Sequence, residues 1–194
     1  MKINPIDHKK NLYRIDNIIP QVLLDSLARE PLQALPFSKM DWQEDIPRRR
    51  LEQMPGSILS KIHDHINEQK VFIGYSIGQS IKKIDTAFWL DQEGFTFSPQ
   101  IDNPGVEKVM QIYLTNCPNA GTVFYDIDEK DVLTKNDQQC WHYEGPNPPI
   151  KIRKEFDFKI NSGYLMINDK TQLHGVPYEL TKDDVRLSVY CWIN

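Results

Sequence analysis

Thr86-Ala-Phe-Trp-Leu-Asp-Gln-Glu-Gly-Phe-Thr-Phe-Ser-Pro-Gln-Ile-Asp102 is the stretch that decides the fold class of this chain. It contains two segments rich in β-branched and aromatic residues, Thr86–Leu90 and Phe95–Asp102, which predict strands. Between them, Asp91-Gln-Glu-Gly94 has the composition of a tight turn. The same signals predict four further strands: Lys108–Leu114, Thr122–Asp126, Tyr164–Asn168 and Val185–Trp192. Short strands separated by turns, without alternating helices, favour a β-barrel or a double-sheet jelly roll.

The residues before this stretch have a different pattern, because apolar side chains recur there at helical spacing. One segment contains Val22, Leu23 and Leu27, and another contains Ile58, Leu59, Ile62 and Ile66. Pro20 suits the first turn of the earlier helix, Ser57 can cap the later one, and the charged residues 41–50 are predicted to be a connection. We therefore expect a single domain over residues 1–194. Its mainly β, cupin-like jelly-roll core would span residues 86–194, with the helices of residues 1–85 as support.

Composition excludes several classes of function. The chain has 194 residues, 40% of them hydrophobic and 26% charged, as is usual for a globular protein. Its net charge of −4 argues against a broad nucleic-acid-binding surface. No apolar run approaches the roughly 20 residues that span a bilayer, and the N-terminus lacks the apolar stretch of a secretory signal. Three cysteines without a CxxC spacing indicate reduced thiols, so we expect a cytoplasmic protein. From the charge and the absence of long apolar runs we expect no nucleic-acid or membrane partner.

Two predicted strands combine polar and apolar faces. In the Phe95–Asp102 strand, alternation puts Thr96, Ser98, Gln100 and Asp102 on one face and Phe95, Phe97 and Ile101 on the other. The first face is polar enough to line a pocket, and the second can pack under the N-terminal helices. In the last strand, Arg186 shares a face with Ser188 and Tyr190. A buried, unpaired arginine is very costly, so a carboxylate ligand is the natural partner for Arg186.

Several short motifs occur in a fixed order along the chain: Trp89-Leu-Asp-Gln-Glu-Gly-Phe95, Gln100-Ile-Asp102, Ile112-Tyr-Leu114, Ala120-Gly-Thr-Val-Phe124, Asn161-Ser-Gly163, His174, Arg186-Leu-Ser188 and Trp192-Ile193. Together they resemble the Fe(II)- and 2-oxoglutarate-dependent dioxygenases, particularly their prolyl-4-hydroxylase-like branch. That family has a double-stranded β-helix core and a His-x-Asp, distant His and distant Arg or Lys motif. The resemblance covers a little over half of the chain, from about residue 88 to residue 193.

The resemblance implies a set of site residues and cofactors. Asp102 and His174 would be metal ligands, and Arg186 would bind the far carboxylate of 2-oxoglutarate, assisted by Ser188 and Tyr113. Fe(II) and 2-oxoglutarate would be the cofactors of an oxygenase that hydroxylates an unidentified substrate. Gln100 departs from the family pattern, because it stands where the first metal-binding histidine is expected. An amide oxygen suits harder ions than Fe(II), so we expect this change to weaken iron binding.

Three alternatives remain open from the sequence. The chain could be a catalytically inactive jelly-roll binding module that retains a dicarboxylate pocket, or a purely structural jelly roll in which Arg186 points to solvent. His142 lies in the weakly periodic stretch from 128 to 155, which is either a surface excursion or a loop over the pocket. It is a further candidate for the missing metal ligand. An exposed sheet edge would also permit an oligomer.

Overall fold

Two antiparallel sheets and three helices make up the part of the chain that this computed structural model describes, which is residues 1–7, 11–31, 35–38, 47–51, 54–118, 120–127, 133–135, 140–143 and 151–194. The strands are β1 (Lys2–Asp7), β2 (Leu12–Asp16), β3 (Phe37–Ser38), β4 (Arg48–Leu51), β5 (Ile84–Asp91), β6 (Phe97–Ile101), β7 (Lys108–Tyr113), β8 (Thr122–Tyr125), β9 (Leu133–Lys135), β10 (Trp141–Tyr143), β11 (Ile152–Phe156), β12 (Ser162–Ile167), β13 (His174–Val176) and β14 (Arg186–Ile193). The helices are α1 (Gln21–Arg29), α2 (Ile58–Glu68) and α3 (Lys70–Ile77).

The larger sheet has eight strands in the order β1-β2-β12-β7-β14-β5-β4-β3, and the smaller has six in the order β11-β8-β13-β6-β10-β9. An apolar cluster with members from both sheets lies between them; it includes Leu12, Val109, Phe124, Tyr164 and Val176. The protein is therefore mainly β and built as two packed sheets, as the strand pattern predicted.

All six predicted strands are present, with ends that differ from the prediction by at most two residues. The description of residues 1–85 as helical is incomplete, because β1 to β4 also lie there and extend both edges of the larger sheet. Of the connection predicted over residues 41–50, residues 41–46 lie outside the described part of the chain, and residues 48–50 belong to β4. The stretch from 128 to 155 is not simply irregular either, since β9, β10 and most of β11 lie in it; residues 128–132, 136–139 and 144–150 are outside the described part of the chain.

The helices cover the outer face of the larger sheet. The Ser57 hydroxyl accepts a hydrogen bond from the Ser60 backbone N–H at 3.2 Å and so caps α2, while α3 ends at Gly78 with φ +69°, a left-handed conformation that suits glycine. Their apolar side chains share one cluster with those of β5, β7, β12 and β14. The expectation that Phe95 and Ile101 pack under the helices is wrong, because β6 belongs to the smaller sheet.

None of the helices in the described residues has the length and apolar character needed to cross a bilayer.

Strand register builds one row of side chains on each sheet. In the larger sheet, Asp91 of β5 lies directly opposite both Arg48 of β4 and Arg186 of β14. In the smaller sheet, Gln100 of β6 lies opposite both His174 of β13 and His142 of β10. Directly opposed residues of antiparallel strands point to the same face of their sheet. The register therefore places the three side chains of each row next to one another on one face of their sheet.

Candidate functional site

A pocket of about 270 Å³ lies between the two sheets and receives side chains from both rows. The smaller sheet contributes Gln100, Asp102 and His174, and the larger sheet contributes Arg48, Arg186 and Tyr190. This volume suits a metabolite smaller than a typical drug molecule. Arg186 lines this pocket and only 1% of its side chain is exposed, so the solvent-facing arginine expected for a purely structural jelly roll is not found.

His174 and Asp102 present a paired nitrogen and oxygen to the pocket. His174 Nδ1 lies 2.9 Å from the carbonyl oxygen of Gln172, which can only accept a hydrogen bond. The proton of a neutral imidazole is therefore on Nδ1, and the lone pair of Nε2 is free to bind a metal ion. Nε2 is 3.8 Å from Asp102 Oδ1. One ion can contact both atoms at that separation, since metal–nitrogen and metal–oxygen bonds are each about 2.0–2.2 Å long.

Tyr190 fixes the other oxygen of Asp102. Its hydroxyl donates a hydrogen bond of 2.6 Å to Asp102 Oδ2. Burial raises the pKa of the Tyr190 phenol well above its usual value, and the nearby Asp102 carboxylate raises it further. The phenol therefore stays protonated and acts as a donor, which leaves Oδ1 as the oxygen directed at His174.

Gln100 lies beside this pair. Its side-chain nitrogen Nε2 is 3.3 Å from Asp102 Oδ1 and donates a hydrogen bond to it. Rotating the amide by half a turn exchanges its nitrogen and oxygen and would present the oxygen instead. The donor set then fits a divalent cation through one imidazole, one carboxylate and one amide oxygen. Within the described ranges, no group of three His, Cys, Asp or Glu side chains could hold a metal, so His142 does not complete such a group with Asp102 and His174.

The opposite side of the pocket is formed by the larger-sheet row, which we call the Arg48–Asp91–Arg186 trio. The Arg48 Nε and Nη2 atoms donate to Asp91 Oδ1 and Oδ2 at 2.6 and 3.0 Å, and Arg186 Nη1 donates to Oδ2 at 2.5 Å. The Asp91 side chain is fully buried. Arg186 thus has a carboxylate partner within the chain, Asp91, where the sequence led us to expect a carboxylate ligand.

Arg186 is further held by two neutral acceptors. Its Nε donates to the Ala120 carbonyl oxygen at 3.0 Å, and its Nη2 donates to the Thr122 hydroxyl at 3.3 Å. Its guanidinium also lies 4.8 Å from the centre of the Phe158 ring, within the range of a cation–π contact. The position of this side chain is therefore fixed before any ligand enters.

Ser188 and Tyr113 are buried close to Arg186 and are linked to pocket residues. The Ser188 hydroxyl accepts a hydrogen bond of 3.0 Å from Gln111, and the Tyr113 hydroxyl donates one of 3.0 Å to Thr122, the same residue that Arg186 contacts. Burial raises the pKa of Tyr113, and the positive charge of Arg186 opposes that increase. Gln111 and Thr122 line the pocket, so both predicted residues reach it through a neighbour.

A register shift between β6 and β13 changes the predicted faces of the Phe95–Asp102 segment. Because the shift interrupts strict alternation, Phe97 lines the pocket together with Gln100 and Asp102. Thr96 and Ser98, predicted on the pocket face, are exposed. The faces of the last strand follow the prediction: Arg186 and Tyr190 line the pocket, and the alternate residues pack in the outer core.

Several pocket residues were not found from the sequence. The sequence places Arg48 in the connection predicted over residues 41–50 and Asp91 in a predicted turn. The sequence does contain a signal for Asp91, because it directly follows Thr86 and four apolar or aromatic residues in a strand and so needs a cationic partner when buried. For Arg48 no signal separates it from Arg49 and Arg50. Cys140, the residue before β10, also lines the pocket, so the stretch from 128 to 155 contributes to its wall.

No protein-family model matches this chain, and no curated protein matches it. Solved structures do. It is similar to a prolyl-4-hydroxylase from Pseudomonas putida (12% identity, 95% of this chain, 92% of that chain, TM-score 0.61). It is also similar to HygX from Streptomyces hygroscopicus with nickel, 2-oxoglutarate and hygromycin B bound (12%, 94%, 82%, TM-score 0.62). A third is the viral collagen prolyl hydroxylase of Paramecium Bursaria Chlorella virus-1 in a 2OG complex (12%, 97%, 98%, TM-score 0.56). At these identities the likeness establishes a shared fold.

Proposed function

We propose that this protein is a 2-oxoglutarate- and Fe(II)-dependent oxygenase whose metal site is formed by Asp102, His174 and Gln100. One observation carries the proposal: a single pocket contains a paired imidazole and carboxylate contributed by one sheet and a net cationic trio contributed by the other. A 2-oxo dicarboxylic acid has a metal-chelating end and an anionic end, so it matches both. The solved neighbours that bind 2-oxoglutarate share this fold and support the same class.

Different residues of the pocket would hold the metal, bind the far carboxylate and exclude water. The Gln172 carbonyl and the Tyr190 hydroxyl hold His174 and Asp102 in place for the metal. Arg186, fixed by Asp91, Ala120 and Thr122, would bind the far carboxylate, and Ser188 and Tyr113 would assist through Gln111 and Thr122. When bound, Fe(II) with 2-oxoglutarate supplies the activation of O₂ for hydroxylation of a C–H bond. Aromatic side chains of the wall, such as Trp89 and Phe97, would exclude water from the reacting atoms.

The proposal is tested by anaerobic calorimetric titration of metal-free protein. Mn(II), which does not undergo redox chemistry here, is titrated with and without 2-oxoglutarate. We expect each to tighten the binding of the other, because one pocket holds both and linkage is reciprocal. If Mn(II) does not bind under either condition, then Gln100, Asp102 and His174 do not form a working metal site and the proposal fails.

A second function, a non-catalytic module that binds a carboxylate, is favoured by one contact. The hydrogen bond from Gln100 to Asp102 uses the oxygen that faces His174, which is how the site can be satisfied without a metal. The two functions are separated by measuring Fe(II)-dependent succinate formation in the wild type and in Gln100→His. Turnover by the wild type supports the enzyme. Turnover only in Gln100→His supports the module, since it would show that position 100 alone blocks the chemistry.

A further inference from the structure

We propose that Arg48 is a second carboxylate-binding residue of this pocket and that it supplies the positive charge that Asp91 removes from Arg186. The inference rests on the proposed function and goes further, because it assigns recognition of the anionic end of the ligand to a residue outside the dioxygenase motif. It is carried by the geometry of the Arg48–Asp91–Arg186 trio.

The first observation is the net charge of the trio. Asp91 is fully buried and bonds both arginines, so the trio as a whole carries one net positive charge. Arg186 and Asp91 alone would be neutral, and a neutral pair attracts a carboxylate only weakly. With Arg48 included, the remaining single charge equals that of one carboxylate, which is what the far end of a 2-oxo dicarboxylate presents.

Access to the ligand also differs between the two arginines. Arg186 is 1% exposed and uses its Nε, Nη1 and Nη2 atoms in hydrogen bonds to the chain. Arg48 is 13% exposed, and its bonds to Asp91 involve Nε and Nη2. Among contacts between described residues, none involves its Nη1. That group has two N–H donors, and a guanidinium with free donors suits bidentate binding of a carboxylate.

Aromatic rings hold the Arg48 guanidinium in place. Its central carbon lies 4.5 Å from the centre of the Phe95 ring, 5.1 Å from that of Trp89 and 5.5 Å from that of Phe97. Trp89 and Phe97 line the pocket as well. A cation held against rings loses less freedom when it binds a ligand, so Arg48 is already arranged for recognition.

The test compares two ligands that differ only at their far ends. 2-Oxoglutarate has a carboxylate there, and 2-oxopentanoate has a methyl group. Both are titrated into the Mn(II)-loaded protein under anaerobic conditions. Arg48→Gln should weaken 2-oxoglutarate binding by about 10- to 100-fold, the range for losing a hydrogen bond between charged groups, and leave 2-oxopentanoate binding unchanged. Arg49→Gln is the matched control, because Arg49 is the next residue of β4, is exposed and does not line the pocket. It should change neither affinity.

Each other outcome has a defined meaning. Unchanged binding of 2-oxoglutarate by Arg48→Gln, or equal weakening of both ligands, overturns the inference; the second result would show that Arg48 only maintains the shape of the pocket. If Arg48→Gln does not fold, Arg48→Lys is used, which keeps the charge but loses the planar fork, and a smaller loss that is again selective for 2-oxoglutarate is expected. If the wild type binds no 2-oxoglutarate, the proposed function fails. The inference is then decided with glutarate on metal-free protein, where no binding, or binding that survives Arg48→Gln, overturns it.

Discussion

Replacing Asp91 by Asn should destabilise this protein more than any replacement of a surface carboxylate. Asn keeps the shape of the side chain but removes the negative charge that lies between Arg48 and Arg186. Asp91 is fully buried and accepts three hydrogen bonds of 2.5 to 3.0 Å from the two guanidinium groups. Breaking a buried ion pair by removing one partner costs about 3–5 kcal/mol. At about 2–4 °C per kcal/mol for a chain of this size, Tm should fall by roughly 6–20 °C.

The control variant is Asp85→Asn, on the same strand as Asp91. Asp85 of β5 pairs with Lys83 at 2.6 Å, as close as the Arg48–Asp91 contact, but both side chains are largely exposed, 43% and 67% respectively. Asp85→Asn should cost at most about 1 kcal/mol, since solvent screens a surface pair. Urea unfolding followed by circular dichroism gives both values. Equal costs for the two variants would refute the reasoning, because they would show that burial of the trio adds nothing to its energy. Adding Arg48→Gln to Asp91→Asn should recover part of the loss by removing one unneutralised charge.

Three further predictions concern the residues around Asp102 and His174 and the stability of the fold at alkaline pH. Tyr190→Phe removes the donor that fixes Asp102 and should weaken Mn(II) binding by about 10- to 100-fold in a titration; unchanged affinity would show that Asp102 is held without it. Gly175→Ala would place a Cβ 2.6 Å from the carbonyl oxygen of Phe97, so β13 must move away from β6, at a cost of about 1–3 kcal/mol in urea unfolding. Burial raises the pKa of Cys117 from 9.0 to about 11. The resulting stabilisation is complete below pH 9 and is lost between about pH 9 and 11, because the unfolded thiol ionises first. The urea midpoint of Cys117→Ser should therefore decline less over that range than that of the wild type.

The six strands and the pocket faces of the last strand could be predicted because they depend on local composition and alternation. Val185–Trp192 illustrates this: its apolar residues alternate with Arg186, Ser188 and Tyr190, and that alternation leaves little freedom in the orientation of the strand. His174, Asp102 and Gln100 could be grouped only through the family resemblance, since 72 positions of chain separate residues 102 and 174. The structure does bring them into contact distance.

The trio could not be predicted, because it depends on register and not on local sequence. Arg48, Arg49 and Arg50 are equivalent as a sequence, and a shift of one residue between β4 and β5 would turn a different arginine inward. Phe97 was misplaced for a related reason, since the register shift near Pro99 involves β13, which lies far along the chain. The N-terminal strands were missed because the apolar periodicity of the helical segments dominated the pattern of residues 1–85.

The two sides of the site are built mainly by different sheets, and this bears on the meaning of Gln100. Hydrogen bonds link the sheets, among them one from Tyr190 to Asp102 and one from Arg186 to Thr122. The metal side is held by β6 and β13 of the smaller sheet, where the backbone carbonyl of Gln172 orients His174. The anion side is held by β4, β5 and β14 of the larger sheet, where cross-strand register aligns the trio. Gln100 bonds Asp102 and lies in the other sheet from the trio, so we expect a change at position 100 to affect metal binding more than carboxylate binding. An oxygenase and a carboxylate-binding module differ, on this framework, by the donor strength of a single side chain. For that reason, restoring an imidazole at position 100 is a sufficient test of what the pocket can catalyse.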